Sequence, residues 1–323
     1  MLTGLTLPKE YCCIKADMDD KLSVVATSVN QDTIADMTGA HVFLGYKPLI
    51  FGLVVRVDSQ AHRRFRQESE ILLEFNRQAS SIGSLRQDEL SKRSIAVMRL
   101  KYVREITLNA QVLLLYHGKH GHHSFLSPLQ QVVNRQRERF QKRTTGNVDL
   151  PGNLLDQVQI AYAIQRKISV ITVGDGSLVN LFPTDLHGTV GTVNYVSSLR
   201  IGGMATQQVE ATRKLVISEV DLAAYREIYA LGKNHMRNFD DENRFAVYRL
   251  KSQVLQLPLP AAVRSYRELE LLGSVSEGIH RIHTYSVINH QVVKDNGDAL
   301  AHIHRVYAQW RINNGLPTEL FFV

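Results

Sequence analysis

Between Asn180 and Thr206 the sequence sets out side chains suited to gripping an anion: Asn180, Thr184, Ser197, Ser198, Arg200 and Thr206. Hydroxyl and amide groups donate single hydrogen bonds to phosphate-like oxygens, and a guanidinium adds a charged, two-pronged contact. Asp185 stands two residues before His187, which is either half of an acid–base site or a turn former with a neighbour. Two groups of histidines have spacings that can bind metal. His117, His120, His122 and His123 fall within one short stretch, and His302 and His304 lie two apart on a strand-like run. No Cys, Asp or Glu lies within the first group, and no third ligand is near the second. The plainer readings are a polar loop at 117–123 and satisfied or exposed histidines at 302 and 304.

Other reactive patterns are missing. Gly174-Asp-Gly176 lacks the third glycine and the following helix of a dinucleotide fingerprint. Leu231-Gly-Lys-Asn lacks the hydroxyl residue and upstream glycine of a phosphate loop. There is no Gly-x-Ser-x-Gly elbow, no His-Glu-x-x-His and no Cys-x-x-Cys. The residues therefore assign no catalytic side chain and no metal ligand.

The elements that must position the polar set are mostly strands. Ile168–Val173 is a β-branched run, Gly174-Asp-Gly176 a turn, and Leu178–Leu181 an extended segment that Pro183 should end. Tyr195–Arg200 is a third strand. Gly202-Gly203 breaks it, and Thr206 is a plausible N-cap for a short helix before a fourth strand, Leu215–Ser218. Leu222–Leu231 reads as a helix with Gly232 at its end. Lys233 beyond it either offsets the helix dipole or reaches a ligand phosphate. Long alternation from Gly278 to Ile288 suits a barrel strand, with His280 and Arg281 on opposite faces.

The order of these pieces resembles the flavin reductase-like family, the split β-barrels that bind FMN. The family's strand and hairpin, its N-x-x-P-[ST] segment, its strand ending in a basic residue and its Thr-bearing loop match Ile168–Gly176, Asn180–Thr184, Ser198–Arg200 and Thr206–Val209. Its Gly-x-His before a closing strand matches Gly278-Ile-His280. Met204-Ala205 depart from the charged pair usual in the family. The resemblance implies a mainly β fold with a few helices, with the FMN-binding split barrel in the C-terminal half, residues 160–315, behind a β-rich α+β N-terminal region, residues 1–150. It implies FMN as cofactor, with Thr184, Ser198, Arg200 and Thr206 towards the phosphate and ribityl chain, and Ser197, Gln207 and Lys233 among the cofactor-binding residues. Asn180, Asp185 and Leu186 fall towards the ring, and His280 beside it. The implied activity is NAD(P)H-dependent flavin oxidoreduction, in a homodimer. A non-catalytic barrel protein holding a flavin or another anionic ligand is the alternative, and a histidine-rich metal-binding protein the third.

Composition fits a globular chain. Of 323 residues, 44% are hydrophobic and 21% charged, with a formal net charge of +7 that scattered arginines explain without nucleic acid. The two cysteines, Cys12 and Cys13, are adjacent and give no disulfide framework. No secretory signal or membrane span is visible, so a cytoplasmic location is expected. The basic patch His62–Arg66 reads as a solvated turn. No internal repeat is obvious, although both halves are strand-rich and a degenerate second barrel in residues 10–130 is compatible with that. Thr144–Asn153 is the best boundary, and Trp310 is expected in a core or an interface.

Overall fold

β-Branched and aromatic runs fold the described residues of this chain into three antiparallel sheets. The computed structural model describes residues 11–16, 22–77, 94–140, 149–175, 178–241, 250–316 and 321–322. The strand β1 (Tyr11–Lys15) comes first. There follow β2 (Leu22–Ser28), β3 (Thr33–Asp36), β4 (His41–Gly45) and β5 (Ile50–Arg56), then helix α1 (Gln60–Gln67). The strands β6 (Glu70–Arg77), β7 (Ser94–Leu108) and β8 (Gln111–His123) complete a seven-stranded sheet of order β3-β2-β6-β7-β8-β5-β4. Helices α2 (Pro128–Phe140) and α3 (Leu154–Ala161) and the short β9 (Arg166–Lys167) lead to the second half.

That half contains β10 (Ser169–Asp175), β11 (Leu178–Thr184), β12 (His187–Val190) and β13 (Asn194–Arg200), then helix α4 (Met204–Thr212) and β14 (Lys214–Val220). Helix α5 (Tyr225–Ala230), β15 (Asp240–Asp241) and the long strands β16 (Val263–Glu277) and β17 (His280–Val292) follow. Its eight strands run β12-β13-β17-β16-β14-β10-β11-β15. A third sheet, β19-β1-β18-β9, joins both ends of the chain through β18 (Leu300–His304) and β19 (Phe321–Phe322), with helix α6 (Arg305–Asn313) behind β18.

The expected barrel in the C-terminal half is not what forms. The eight-stranded sheet is open, its end strands β12 and β15 do not pair, and the half-barrel is the N-terminal sheet of β2–β8. Closure requires the first and last strands to share hydrogen bonds. Here β12 instead lies against β4 and β8 of the other sheet.

Local expectations fare differently. Pro183 sits inside β11 rather than ending it, opposite Val170. It is tolerated because β15 covers only Leu178 and Val179 on the other side, so the proline's missing N–H falls on a free edge. Thr206 lies inside α4, whose N-cap is Gly203. The histidines at 117–123 are on a strand, not a loop: β7 pairs with β8 along its whole length. The patch at 62–66 is helical, and α1 buries His62 and Phe65.

The apolar faces pack into one large core between the N-terminal sheet, α3 and β18, and a second core between α4 and the sheet strands β10, β13, β14, β16 and β17. Between the two sheets, Val42, Leu44, Ile50, Leu113 and Leu115 meet Val190, Val196 and Ile282. Trp310 is half-buried against Phe125 and stacked on Tyr307. No helix among the described residues is long and apolar enough to cross a membrane.

Candidate functional site

The end of β11 turns through Asp185 into β12, and this turn meets the third sheet. Asp185 Oδ2 accepts from the Tyr162 hydroxyl at 2.6 Å and lies 2.8 Å from His302 Nε2. The other ring nitrogen, His302 Nδ1, is 2.9 Å from the Tyr229 hydroxyl. Burial alone would raise the Asp185 pKa, but the bonds from His302 and Tyr162 and the nearby His187 reverse that and hold it at about 2. An ionised carboxylate only accepts, so His302 donates to it from Nε2, and Nδ1 faces the Tyr229 hydroxyl. Burial pushes the Tyr229 and Tyr162 hydroxyls up, with Asp185 adding to the effect, so both stay protonated. Tyr11 stacks on the His302 ring at 4.9 Å and fixes its plane.

Three elements bring these groups together. Strand β18 carries His302, α5 carries Tyr229, and the residue after α3 is Tyr162. Asp185, Thr184, Tyr229 and His302, with Ile168 and Pro183, line a cavity of about 130 Å³. Nearby, Arg166 is buried, donates to the Ala161 carbonyl through Nε and Nη2, and lies over the Phe43 and Phe51 rings. Burial lowers its pKa to about 10, a change that Tyr162 and Asp185 oppose. His187 is neutral: burial lowers it to about 4 despite Asp185, and its nitrogens meet Tyr195 Oη and the Lys167 carbonyl.

The other residues singled out in the sequence fall into separate groups. Ser197 and Ser198 alternate across β13. Ser197 bonds the Tyr285 hydroxyl beside the C-terminal core, and Ser198 Oγ lies 3.2 Å from His280 Nδ1 on the face towards the N-terminal sheet. His280 Nε2 accepts from the Tyr46 N–H, and burial followed by the Arg200 charge lowers its pKa to about 4. Asn180 is buried and donates to Gln208 Oε1 and to the Asn234 carbonyl. Thr206 donates to the Arg200 carbonyl, and the Thr184 hydroxyl accepts from the Leu186 N–H. The Leu186 side chain belongs to the N-terminal core. Gln207 and Lys233 are exposed, and Arg200 is half-buried.

Thr184 and Asp185 thus share the cavity, and Arg200, Thr206 and Gln207 share the N-terminal end of α4, which has no side-chain cap. Tyr162, Arg166 and Tyr229 escaped the sequence reading. The only signal was a tyrosine-rich composition, 12 in all, with nothing to pair them. The four histidines between 117 and 123 do not converge: His117 meets Glu277, His123 meets Gln159, and His120 and His122 are exposed. Among the described residues no three His, Cys, Asp or Glu side chains form a metal-sized group.

No family model matches the sequence, and no curated protein does. Solved structures do. An FMN-binding protein from Thermus thermophilus with bound p-hydroxybenzaldehyde aligns with a TM-score of 0.41 and 17% identity, over 51% of this chain and 92% of that one. An NADH:FAD oxidoreductase of Streptomyces globisporus C-1027 aligns with a TM-score of 0.41 and 14% identity, over 49% and 94%. The flavin reductase component of a bacterial two-component tryptophan halogenase aligns with a TM-score of 0.40 and 15% identity, over 45% and 90%. The chain is similar to flavin reductase-like proteins.

The residues present fit a flavin at two of three places. The α4 end, with Arg200, Thr206 and Gln207, suits a phosphate. Asp185 is an acceptor at a cavity and suits a ring N–H. The cavity takes one edge of a fused ring system, since pockets for whole cofactors run to roughly 300–1,000 Å³. Ser198 and His280 do not fit: they bond each other under the Tyr46 backbone.

Proposed function

We propose that this protein binds a flavin, FMN, and is of oxidoreductase type, with NAD(P)H as reductant. The convergence of Thr184, Asp185, Tyr229 and His302 on one cavity carries this reading, because it lies at the segment that the family resemblance assigns to the ring edge. A bound flavin supplies the hydride-accepting ring, which a protein without a nucleophile can use. In this chain Arg200, Thr206, Gln207 and Lys233 would hold the phosphate end. Asp185 would accept from the ring edge, and His302 would keep the carboxylate oriented. Tyr229, neutral and bonded to His302, holds a proton at the cavity wall. Residues 160–315 are the ligand-carrying part in this proposal. Cys12 and Cys13 are buried thiols outside any disulfide, which suits a cytoplasmic setting.

The test is an absorption spectrum of the protein before and after incubation with FMN and gel filtration. Retained flavin bands support the proposal, and a colourless protein that leaves all FMN behind ends it. The closure of Ser198 and His280 against Tyr46 favours a second reading, a protein that holds the ligand without turnover. FMN-dependent oxidation of NAD(P)H separates the two: consumption supports the reductase, and retained FMN without consumption supports the binding protein.

A further inference from the structure

The two large sheets have the same plan. Each unit contains four strands, a helix, a strand and two long strands, in that order, with α1 matching α4, and the second unit inserts α5 and β15 before its long strands. Replacing each N-terminal strand by its counterpart turns β3-β2-β6-β7-β8-β5-β4 into β11-β10-β14-β16-β17-β13-β12, which is the observed order of the second sheet with β15 added at one edge. The final strands are 15 and 13 residues long in both units.

Register agrees pair by pair where the fourth strand of each unit meets its last long strand. Ile50 pairs with His117 as Asn194 pairs with Ser286, and Arg56 pairs with Gln111 as Arg200 pairs with His280. The long hairpins carry bulges at matching places: Arg99/Leu100 and Tyr102/Arg104 in one, Glu268/Leu269 and Leu271/Gly273 in the other. Their two-residue turns begin with Asn109 at φ 54° and Gly278 at φ 56°. Bulges re-aim and twist a ladder at one chosen point, so two shared positions are a strong mark of common descent.

The contacts between units are reciprocal as well. A Cβ on Gly45 would lie 2.6 Å from the His280 ring, and one on Gly191 would lie 2.8 Å from the Gln111 side chain. His280 and Gln111 are the first residues of β17 and β8. Likewise β4 packs on β17, and β12 on β8. Paired contacts of this kind define a two-fold arrangement.

The cavity, however, has no twin. Val25 pairs with Asp36 as Val170 pairs with Pro183, so Met37-Thr38 stand where the other unit has Thr184-Asp185. Met37 is core, and the Thr38 hydroxyl accepts from the Val24 N–H. His302 comes from β18, outside either unit.

We infer that residues 22–123 and 169–292 are two copies of one unit, fused in tandem and paired about a pseudo-two-fold axis, so that one chain supplies the whole two-unit assembly and holds one ligand site. The count of sites rests on the proposed flavin binding. The pairing does not.

The experiment uses the full chain. Light scattering after gel filtration gives the mass in solution, and FMN titration followed by flavin fluorescence gives the stoichiometry. The expected results are the mass of one chain and one FMN per chain, with Asp185→Asn lowering affinity about tenfold and Thr38→Val leaving it unchanged, since one lost hydrogen bond is of that order. A dimeric mass overturns the self-sufficient pair, and two FMN per chain overturn the single site. No FMN binding at all removes the flavin reading and the ligand count with it, while the mass still decides the pairing.

Discussion

Asp185 Oδ2 lies 2.8 Å from His302 Nε2, although 117 positions separate the two residues in the chain. The same oxygen takes the Tyr162 hydroxyl, so one carboxylate ties the β11–β12 turn to the third sheet and to the end of α3. Asp185→Asn keeps the shape and removes the charge. Hydrogen bonds to a charged partner are worth roughly 1.5–3 kcal/mol each, so this half-buried site should lose about 2 kcal/mol of stability. Denaturant unfolding measures it, and a change below about 0.5 kcal/mol would show that the anion does not hold the two sheets together.

Arg200 ends β13 beside the N-terminal end of α4. If it pairs a ligand phosphate there, Arg200→Ala weakens FMN binding by roughly 1–3 kcal/mol, with a smaller loss for Arg200→Lys. Titration calorimetry is the check. Equal affinity in wild type and alanine variant removes Arg200 from the site.

These residues differ in how far the sequence alone could place them. Strands β10 and β14 were legible because Val170-Ile171-Thr172-Val173 and Leu215-Val216-Ile217 are β-branched or leucine-rich and buried throughout. The openness of their sheet was not, because closure depends on whether β12 finds β15 or the other unit, and alternation within a strand says nothing of that. The partners of Asp185 were hidden for a similar reason. Contact between a turn, α5 and β18 is set by packing across the whole chain. The duplication was hidden because equivalent positions hold different side chains, such as Val54 against Ser198 and Gln111 against His280, while backbone pairing kept its register.

His283 is fully buried, and among the described residues neither of its ring nitrogens has a hydrogen-bond partner; a carboxylate oxygen of Glu210 is 3.8 Å away. Such a group costs about 1–3 kcal/mol of desolvation. Leucine is close in volume and carries no polar atom, so His283→Leu should raise the melting temperature by about 2–4 °C. A lower melting temperature would mean that the imidazole holds a partner, and the cost ascribed to it would be wrong.

Histidines also set the acid limit of the fold. Burial lowers His41, His187, His280 and His283 to about 4, and His304 to about 3. Each is neutral in the native chain between its folded value and the ordinary histidine value of 6.5, where the unfolded chain binds a proton. Protons bound preferentially by the unfolded state make stability rise with pH, so stability must fall on acidification from about 6.5 to 4. Each such histidine steepens the slope by up to ~1.4 kcal/mol per pH unit. Asp185 acts lower, below the ordinary carboxylate range and down to about 2. Denaturant midpoints at pH 7, 6, 5 and 4 should therefore decline, starting above the range in which ordinary carboxylates titrate. His41→Gln tests one contributor, because glutamine keeps a donor for the Met37 carbonyl that His41 Nδ1 meets at 2.7 Å. The variant should show a shallower decline below pH 6.5 than the wild type. Parallel curves would place the acid sensitivity elsewhere among the five.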